Sequence, residues 1–435
     1  MADVLPFRAL RYNLERVSAQ QVVTQPYDKI TPAMQERYYA ASPFNLIRVI
    51  LGRSEPQDNT EHNVYTRASN CSKAWRDDKI LGRDSEPSIY ACSQTFPAPS
   101  GSSRLERHGF IALGRVEDYS AKVVFRHEQT LAKPKADRLD LLRATRVHYE
   151  QLFLLYEDSG EIDSQLALAR NAAPTIEVTD EYGVLNRLWQ ISDAKVIAAV
   201  RDQMRGQKLV IADGHHRYET ALTFRNECRA AAGGKADSQA PYEFVMMTFV
   251  NVKDPGLVIL PTHRVVHSLA SFSASEFQTA ARAFFTVDEI DPALDGKGAM
   301  ELLHERGRDG TALLAVTAHR TFLLHSSRAS SAPALRGLSP RQQSLDVVQL
   351  HKLVLEGVLQ LSEESIRNQQ NLTYIRDADE ALAKVRSGSA NLAFLMNPCR
   401  IQQVRDVALA GEVMPQKSTD FYPKLLSGLT AYALD

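Results

Sequence analysis

The sequence predicts an α/β protein of the α+β kind, with mixed sheets and more than one domain. Short apolar runs such as Leu152–Tyr156 alternate with stretches whose apolar residues have helical spacing, such as residues 137–151. The chain has 435 residues, which is more than one ordinary hydrophobic core encloses. Hydrophobic residues make up 44% and charged residues 24%, and both values are typical of globular proteins. We therefore expect two or three α/β domains.

Taken in order, the elements suggest an N-terminal segment 1–165, a central domain 166–330 and a C-terminal segment 331–435. In the first segment, alternation and apolar runs predict strands at 45–51, 87–96, 109–116, 121–125 and 152–156, and helices at 58–77 and 137–151. In the second, the same patterns predict helices at 193–205 and 217–231 and strands at 208–212, 243–250 and 257–266. Residues 327–340, rich in Ser, Ala and Pro, predict a linker. Beyond it we expect an amphipathic helix at 344–361 and strands at 373–376 and 391–396.

Charge and cysteine content exclude several classes of function. The formal net charge is -1, so no overall field favours nucleic acid or a membrane surface. The four cysteines form no CxxC pair, which argues against a disulfide framework or a structural zinc site and fits a reducing compartment. The N-terminus lacks an apolar signal core, and no run of about 18 apolar residues occurs. These features predict a cytoplasmic protein.

The segment Ala-Asp-Gly-His-His-Arg at 212–217 is the strongest candidate site. It follows the apolar run 208–212 and begins a helix, and its glycine permits a tight reversal and a close approach of ligand to backbone. A helix N-terminus attracts anions, and His215, His216 and Arg217 supply phosphate donors. Asp213 can bind a metal or accept a proton. The alternative is that Asp213 only caps the helix and the histidines are merely exposed; adjacent histidines cannot share one helix face.

Two further stretches concentrate polar chemistry. Residues 126–138, RHEQTLAKPKADR, place a carboxylate among bases, as general-base chemistry beside a phosphate requires, although a solvated charged loop has the same composition. Its candidate residues are Arg126, His127, Glu128, Lys133, Lys135 and Arg138.

Residues 414–424, MPQKSTDFYPK, offer Lys417, Ser418 and Thr419 as phosphate ligands, or form an ordered surface tail. No glycine-rich run precedes Lys417, so this is not a P-loop.

Weaker signals lie at Tyr27 and Asp28, at Thr262, His263 and Arg264, and at Asp346 and His351. The first pair could form only a turn, and the Thr-His-Arg run at a strand end has a structural role as readily as a functional one. Asp346 and His351 are five positions apart on one predicted helix, so they do not share a face. A metal site there is disfavoured.

These motifs together resemble one family across the whole chain and in the same order. FRALRYN and QPYD, RHEQTLAKPKADRLDLLRAT, VIADGHHRYETAL, LPTHRV and MPQKSTDFYPKLLSGL are similar to the bacterial and archaeal family called domain of unknown function 1015. That family looks related to the ParB/sulfiredoxin superfamily, in which a short polar box ending in arginine binds phosphate groups. The resemblance implies a ParB/sulfiredoxin-like core with additional α/β subdomains.

The resemblance also implies a reaction. A family member is a pyrophosphate-dependent kinase of free L-serine that makes O-phosphoserine, which would place this chain in serine or cysteine metabolism. On this reading Asp213 helps hold Mg²⁺, the adjacent histidines and Arg217 contact donor oxygens, and Glu128 accepts the hydroxyl proton, with Glu219 and Asp28 as competing bases. Pyrophosphate, ATP and ADP remain open as donors, and a homodimer remains open.

Two other functions are weighed against the kinase. The first is a non-catalytic ParB-like nucleotide- or DNA-binding regulator, although no basic recognition helix supports DNA binding. The second is sulfiredoxin-like redox chemistry, which needs a cysteine that the Ala-Asp-Gly-His-His-Arg box lacks.

Overall fold

The computed structural model describes residues 1–99, 103–128, 132–233, 237–308, 310–327 and 332–435, without the side chains of 132–134. The chain forms two compact units, each assembled from separated segments. Unit 1 comprises residues 1–126, 130–258 and 423–435, and unit 2 comprises residues 127–129 and 259–422. Neither sequence-based boundary, after residue 165 or after residue 330, coincides with a boundary between these units. Unit 1 continues to Val258, and the last 13 residues also join it, which a reading along the chain does not reveal.

The predicted mixture of helices and mixed sheets is confirmed. The strands are β1 Val4–Leu5, β2 Leu10–Tyr12, β3 Leu81–Arg83, β4 Ile89–Pro97, β5 Arg104–Arg115, β6 Val124–Phe125, β7 Val147–His148, β8 Leu152–Tyr156, β9 Ile176–Thr179, β10 Leu185–Ile191, β11 Leu209–Asp213, β12 Phe244–Asn251, β13 Val258–Leu260, β14 His263–Val266, β15 Thr286–Ile290, β16 Ala312–Val316, β17 Thr321–His325, β18 Leu372–Ile375, β19 Leu392–Met396, β20 Asp420–Tyr422 and β21 Tyr432–Ala433. The α-helices are α1 Ala19–Val22, α2 Pro32–Ala41, α3 Ile47–Ile50, α4 Val64–Asp77, α5 Ala132–Thr145, α6 Glu161–Arg170, α7 Ala194–Met204, α8 His215–Ala231, α9 Ala274–Ala281, α10 Gly296–Arg306, α11 Pro340–Gln343, α12 Asp346–Gln349, α13 Glu363–Arg367, α14 Ala378–Arg386 and α15 Ile401–Leu409, and a π-helix spans Leu350–Val358.

Unit 1 is built on a mixed sheet in the order β6-β11-β8-β12-β5-β4-β10-β9, with β1 added beside β5. Strand β8 pairs parallel to β12 and antiparallel to β11. Alternate residues of the central strands enter different cores: Phe110 and Ala112 pack in one cluster, whereas Ile111 and Leu113 pack in another. Because both faces are covered, these strands are apolar throughout, which is why the run at β8 is so clear in the sequence.

Unit 2 contains an antiparallel sheet in the order β15-β17-β16-β19-β14-β18. Helices α10 and α14 pack on it through a core that includes Leu303, Leu382 and Leu395. No helix in the described ranges is both long enough and apolar enough to cross a membrane.

Several sequence-based elements differ from the structure; the helix predicted at 137–151, for example, ends at Thr145 and is followed by β7. The strand predicted at 45–51 is wrong: the Asn45 side chain accepts a hydrogen bond from the backbone N–H of Ile47, and α3 forms there and packs on α4. A short apolar run does not by itself distinguish strand from helix. The single strand predicted at 257–266 is interrupted at Pro261, which has no N–H for a sheet.

The helix predicted at 344–361 exists, but α12 passes into the π-helix at Leu350. The linker predicted at 327–340 does not separate the units, because it lies inside unit 2, where Leu335 is buried. Residues 328–331 of that stretch, and most of the turn predicted at 99–103, lie outside the described residues.

Candidate functional site

The predicted strand, loop and helix around Asp213 lie near one edge of the large sheet in unit 1, where β11 is the second strand, next to β6. Strand β11 ends at Asp213, where its register with β8 shifts, and α8 begins at His215. Between them Gly214 has φ 93°, in the left-handed region that favours glycine, and it has no side chain with which to cap α8. A Cβ at Gly214 would lie 3.0 Å from Leu152 Cδ2 and 3.2 Å from an Arg217 guanidinium nitrogen. The glycine is therefore needed for both conformation and space.

Asp213 is the centre of a three-residue ion cluster. Lys424 Nζ donates to Asp213 Oδ1 at 2.9 Å, and an Arg217 guanidinium nitrogen donates to Asp213 Oδ2 at 2.9 Å. Burial alone would raise the pKa of Asp213, but the charges of Lys424 and Arg217 outweigh it and hold that pKa well below its usual range. Arg217 also donates to the backbone carbonyl of Gln151 at 2.5 Å. Two cations on one carboxylate leave one positive charge in excess within this cluster.

Arg107 holds the surrounding chain. Its side chain is buried, at 2% exposure, and donates hydrogen bonds to the Pro423 carbonyl at 2.6 Å and to the Gln94 side-chain oxygen. The Gln94 amide nitrogen in turn donates to the Lys424 carbonyl at 2.9 Å. Burial lowers the pKa of Arg107 to about 10, which still leaves it charged at neutral pH. These contacts fix the backbone that presents Lys424 to Asp213.

A second group of polar contacts involves the predicted residues Tyr27 and Arg138. Glu150 accepts from the backbone N–H of Tyr27 at 3.0 Å and from Ser427 Oγ at 3.3 Å. The Arg138 guanidinium carbon lies 4.1 Å from the centre of the Tyr27 ring, and Arg138 donates to the Ile50 carbonyl at 2.7 Å. Burial raises the pKa of Tyr27, so its hydroxyl stays protonated.

Asp28 is the exposed carboxylate of this region. Within the described ranges it forms no hydrogen bond or ion pair, yet its charge raises the pKa of Arg217 against the opposing effect of burial, together with Glu150 and Asp213. The neighbouring Lys29 lowers the pKa of Asp213 further. Asp28 is therefore electrostatically coupled to the ion cluster while its oxygens stay accessible.

Further along α8, Glu219 joins two of the predicted basic residues. Arg126 donates to Glu219 Oε1 at 3.0 Å and Lys135 Nζ donates to Glu219 Oε2 at 2.8 Å. Arg126 also lies over the Tyr119 ring, 5.0 Å from its centre. Both oxygens of Glu219 are thus engaged by cations. At the start of α8, His215 is buried and His216 is half-buried.

Unit 2 brings together two stretches that the sequence suggested as parts of one site. His127 is fully buried, and its Nε2 lies 2.8 Å from Thr419 Oγ1, while its carbonyl accepts from Met414 N–H at 2.8 Å. Glu128 accepts a hydrogen bond from the backbone N–H of Lys417. The side chain of Lys417 is exposed, and its φ of 55° is in the left-handed region that is unusual for lysine.

Arg264 holds this Lys417 turn from inside unit 2. It is 1% exposed and donates to the carbonyls of Lys417 at 3.0 Å and of Thr262. His263 beside it accepts from Met396 N–H at 3.3 Å, and burial lowers the pKa of His263 to about 4, so it is neutral at pH 7. Ser418 is buried and donates to the Pro415 carbonyl at 2.5 Å. The side chains of Arg264, His263 and Ser418 therefore form hydrogen bonds that hold the local backbone in place.

The predicted site residues thus fall into separate groups. Asp213, Arg217, Tyr27, Asp28 and Arg138 belong to unit 1 together with the Glu219 group, whereas Glu128, Lys417, Ser418 and Thr419 belong to unit 2. The side chain of Lys133 lies outside the described residues.

Sequence reasoning missed Lys424, Lys29, Glu150 and Arg107 in unit 1. Lys424 stands in the same motif as Lys417, and Glu150 comes just before the apolar run of β8, so both carried a signal. Arg107 carried none, because its burial is decided by packing.

A metal ion does not fit the Asp213 position as the side chains are arranged. Both carboxylate oxygens are already hydrogen-bonded to cationic groups, and Mg²⁺ would have to displace Lys424 or Arg217. Elsewhere in the described part of the chain, no three His, Cys, Asp or Glu side chains are grouped to hold a metal. We therefore assign no chemical step to a metal at Asp213.

The family assignment is clear. The model of the family described as "Protein of unknown function (DUF1015)" matches residues 4–348, which is well over half of the chain. The chain belongs to this family. No curated protein matches it. The ParB/sulfiredoxin relationship stays a prediction.

Solved structures with some likeness to this chain include a conserved hypothetical protein from Pyrococcus furiosus, with 13% identity and a TM-score of 0.33, covering 69% of this chain and 87% of that one. A free serine kinase in complex with AMP has 12% identity and a TM-score of 0.34, covering 69% and 83%. SbnI with a C-terminal truncation, from Staphylococcus aureus, has 9% identity and a TM-score of 0.34, covering 74% and 88%. Likeness at this level carries no argument about what this chain does.

Proposed function

We propose that this protein is a phosphotransferase that moves a phosphoryl group to the hydroxyl of a small metabolite, with free L-serine as acceptor and pyrophosphate as donor. The observation that carries the proposal is the Asp213, Arg217 and Lys424 cluster at the start of α8. It places the buried Lys424 and the half-buried Arg217, an arginine being suited to phosphate oxygens, where a glycine loop opens a helix.

The electrostatics support an anionic donor rather than a neutral ligand. Phosphoryl transfer depends chiefly on positioning and on neutralising charge as it moves to the leaving oxygen. Arg217 and Lys424 supply that charge, and their hydrogen bonds to Asp213 hold them in place before substrate binds. Asp213 is thus proposed to position the two cations rather than to ligate Mg²⁺.

Asp28 is proposed as the group that accepts the hydroxyl proton. Of the competing carboxylates, Glu219 has both oxygens in ion pairs, and Glu128 already accepts a hydrogen bond from the backbone N–H of Lys417. Asp28 is exposed and electrically coupled to Arg217. The acceptor oxygen forms a bond to phosphorus, the bond from phosphorus to the leaving oxygen breaks, and the acceptor's proton passes to the Asp28 carboxylate.

The direct test is product formation. The purified protein is incubated with L-serine, Mg²⁺ and either pyrophosphate, ATP or ADP, and O-phosphoserine is measured by mass spectrometry and ³¹P NMR. We expect product with at least one donor, and Asp28→Asn should lower its rate at least a hundredfold. The matched control is Asp202→Asn, because Asp202 is an exposed carboxylate that pairs with Arg205 on the surface.

Three outcomes would count against the proposal. Absence of product with every donor, including a panel of other small hydroxyl compounds, would reject the kinase. Tight nucleotide binding without any turnover would favour the non-catalytic regulator instead. Equal rates for Asp28→Asn and Asp202→Asn would remove Asp28 from the mechanism.

A further inference from the structure

We propose that unit 2 holds a second binding site, a pocket beside the π-helix Leu350–Val358 that takes an uncharged heteroaromatic ligand of the nucleobase or nucleoside class. The pocket has a volume of about 300 Å³, which is within the range of small-molecule sites. Every residue that lines it belongs to unit 2. None of them takes part in the proposed phosphoryl transfer.

Two buried polar groups in the pocket wall have no hydrogen-bond partner among the described residues. His351 is 5% exposed, and its Nε2 has no hydrogen bond to any described residue. The hydroxyl oxygen of Tyr374 is likewise buried without a partner in the described ranges. Both side chains line the same pocket. Buried polar atoms in native proteins are nearly always hydrogen-bonded, so a ligand that satisfies both atoms regains what their burial costs.

The protonation states of these groups indicate the kind of ligand. Burial, with the charges of Arg264 and Lys352, lowers the pKa of His351 well below its usual value, so its ring is neutral. Burial raises the pKa of Tyr374, so its hydroxyl keeps its proton. A neutral imidazole and a phenol each donate or accept. This pair suits the mixed donor and acceptor edge of an uncharged ring.

The charged residues at the pocket are paired with one another. Lys352 lies 2.9 Å from Glu356 and 4.0 Å from Glu363, and Arg367 lies 3.7 Å from Glu363. The charges of these two cations and two carboxylates cancel among the residues that line the pocket. Their oxygens and N–H groups remain suitable partners for the hydroxyls of a sugar.

The remaining wall is mostly apolar, with Gln342 and Gln416 as its polar residues, and part of the wall is an unusual helix. Val348, Ile366 and Met414 are among the lining residues and provide apolar contact surface for a ring. His351, Lys352 and Glu356 are on the π-helix, which extends over nine residues. Helices of this type are rare and usually a single turn long, and they occur often at functional sites. The wide turn carries the buried His351 into the pocket wall.

The test is calorimetric titration of the full chain with adenosine, guanosine, cytidine and uridine and with the free bases. We expect at least one to bind with Kd below about 1 mM, a saturable affinity for a small neutral ligand. Tyr374→Phe, which removes only the hydroxyl, and His351→Leu should each weaken it about three- to tenfold. Tyr182→Phe is the control, because Tyr182 is 54% exposed and lies in unit 1. Pyrophosphate should not displace the ligand.

Several results would overturn the proposal. One is the absence of binding by every nucleoside and base. Another is binding of zwitterionic amino acids such as L-leucine or L-tyrosine in their place. Displacement by pyrophosphate would place the nucleoside at a phosphate site instead. If His351→Leu fails to fold, Tyr374→Phe alone decides, and an unchanged affinity in that variant would reject the site.

Discussion

Replacing Gly214 by alanine tests the geometry on which the proposed function depends. The residue has φ 93°, and an added Cβ would meet Leu152 Cδ2 at 3.0 Å and the Arg217 guanidinium at 3.2–3.3 Å. The Leu152 side chain is completely buried in the core, and the guanidinium can move away only by giving up its bonds to Asp213 or to the Gln151 carbonyl. Gly214→Ala should therefore reduce both stability and phosphate binding.

The magnitude follows from two separate costs. Placing a non-glycine residue in the left-handed region costs about 1–2 kcal/mol. Crowding a filled core adds typically about 1–3 kcal/mol. Gly183 provides the matched control: its φ is 74°, but nothing lies within 4 Å of its added Cβ. Gly183→Ala should cost only the first amount, and Gly214→Ala should cost the sum, about 2–5 kcal/mol.

Tryptophan fluorescence offers an assay confined to unit 1. The chain has two tryptophans, and Trp75 and Trp189 are both buried in that unit. Urea unfolding followed by their emission gives the free energy of unfolding of unit 1 for each variant. Equal destabilisation by Gly214→Ala and Gly183→Ala would refute the argument from crowding. An unchanged pyrophosphate affinity in Gly214→Ala would refute the argument that Arg217 is held there for an anion.

Three further predictions concern charge. Lys424→Met should weaken pyrophosphate binding at least tenfold in calorimetry, because a buried charged donor is lost. The control Lys253→Met should leave the pyrophosphate affinity unchanged, because the Lys253 side chain is 58% exposed on the surface. The pKa of Asp213 is lower in the folded protein than in the unfolded chain, where it is about 4. The ionised Asp213 therefore stabilises the folded state above about pH 4, and this contribution is lost at lower pH. The excess destabilisation of Asp213→Asn over Asp202→Asn in the tryptophan assay should therefore shrink below pH 4, and a constant difference would contradict the ion cluster. The pKa of His263 in the folded protein is about 4, below its value in the unfolded chain, so unit 2 should lose stability as the pH falls toward 4. Hydrogen exchange of the β14 amides, corrected for intrinsic rates, measures this loss. Protection that stays constant from pH 7 to 4 would contradict the prediction.

The regular parts of the site were predictable because their signals are local. The apolar run of β8 was found with its exact bounds, and the strand, glycine and helix around Asp213 were placed to within two residues. A strand covered on both faces is apolar throughout, and a glycine before a helical pattern marks the turn between them. These features depend only on neighbouring residues.

Other features depended on distant contacts and were missed. The stretch that forms α3 has a composition equally suited to a strand, and its packing on α4 decides. The π-helix shares the apolar pattern of an ordinary helix, so the sequence predicted a helix without its type. His351 was considered only as a metal ligand, because its burial in the wall of the pocket that Tyr374 also lines was not visible in the spacing.

The sequence by itself determined the α/β class, the family and the loop that starts α8, since each follows from local patterns or from motifs kept in order along the chain. The tertiary structure alone decided which charges meet. Lys424 reaches Asp213 across 211 residues, and the last 13 residues close the unit that the first 126 begin. Local preferences fix the backbone of a segment, but an ion pair between distant segments depends on how the whole chain packs, which no local pattern encodes.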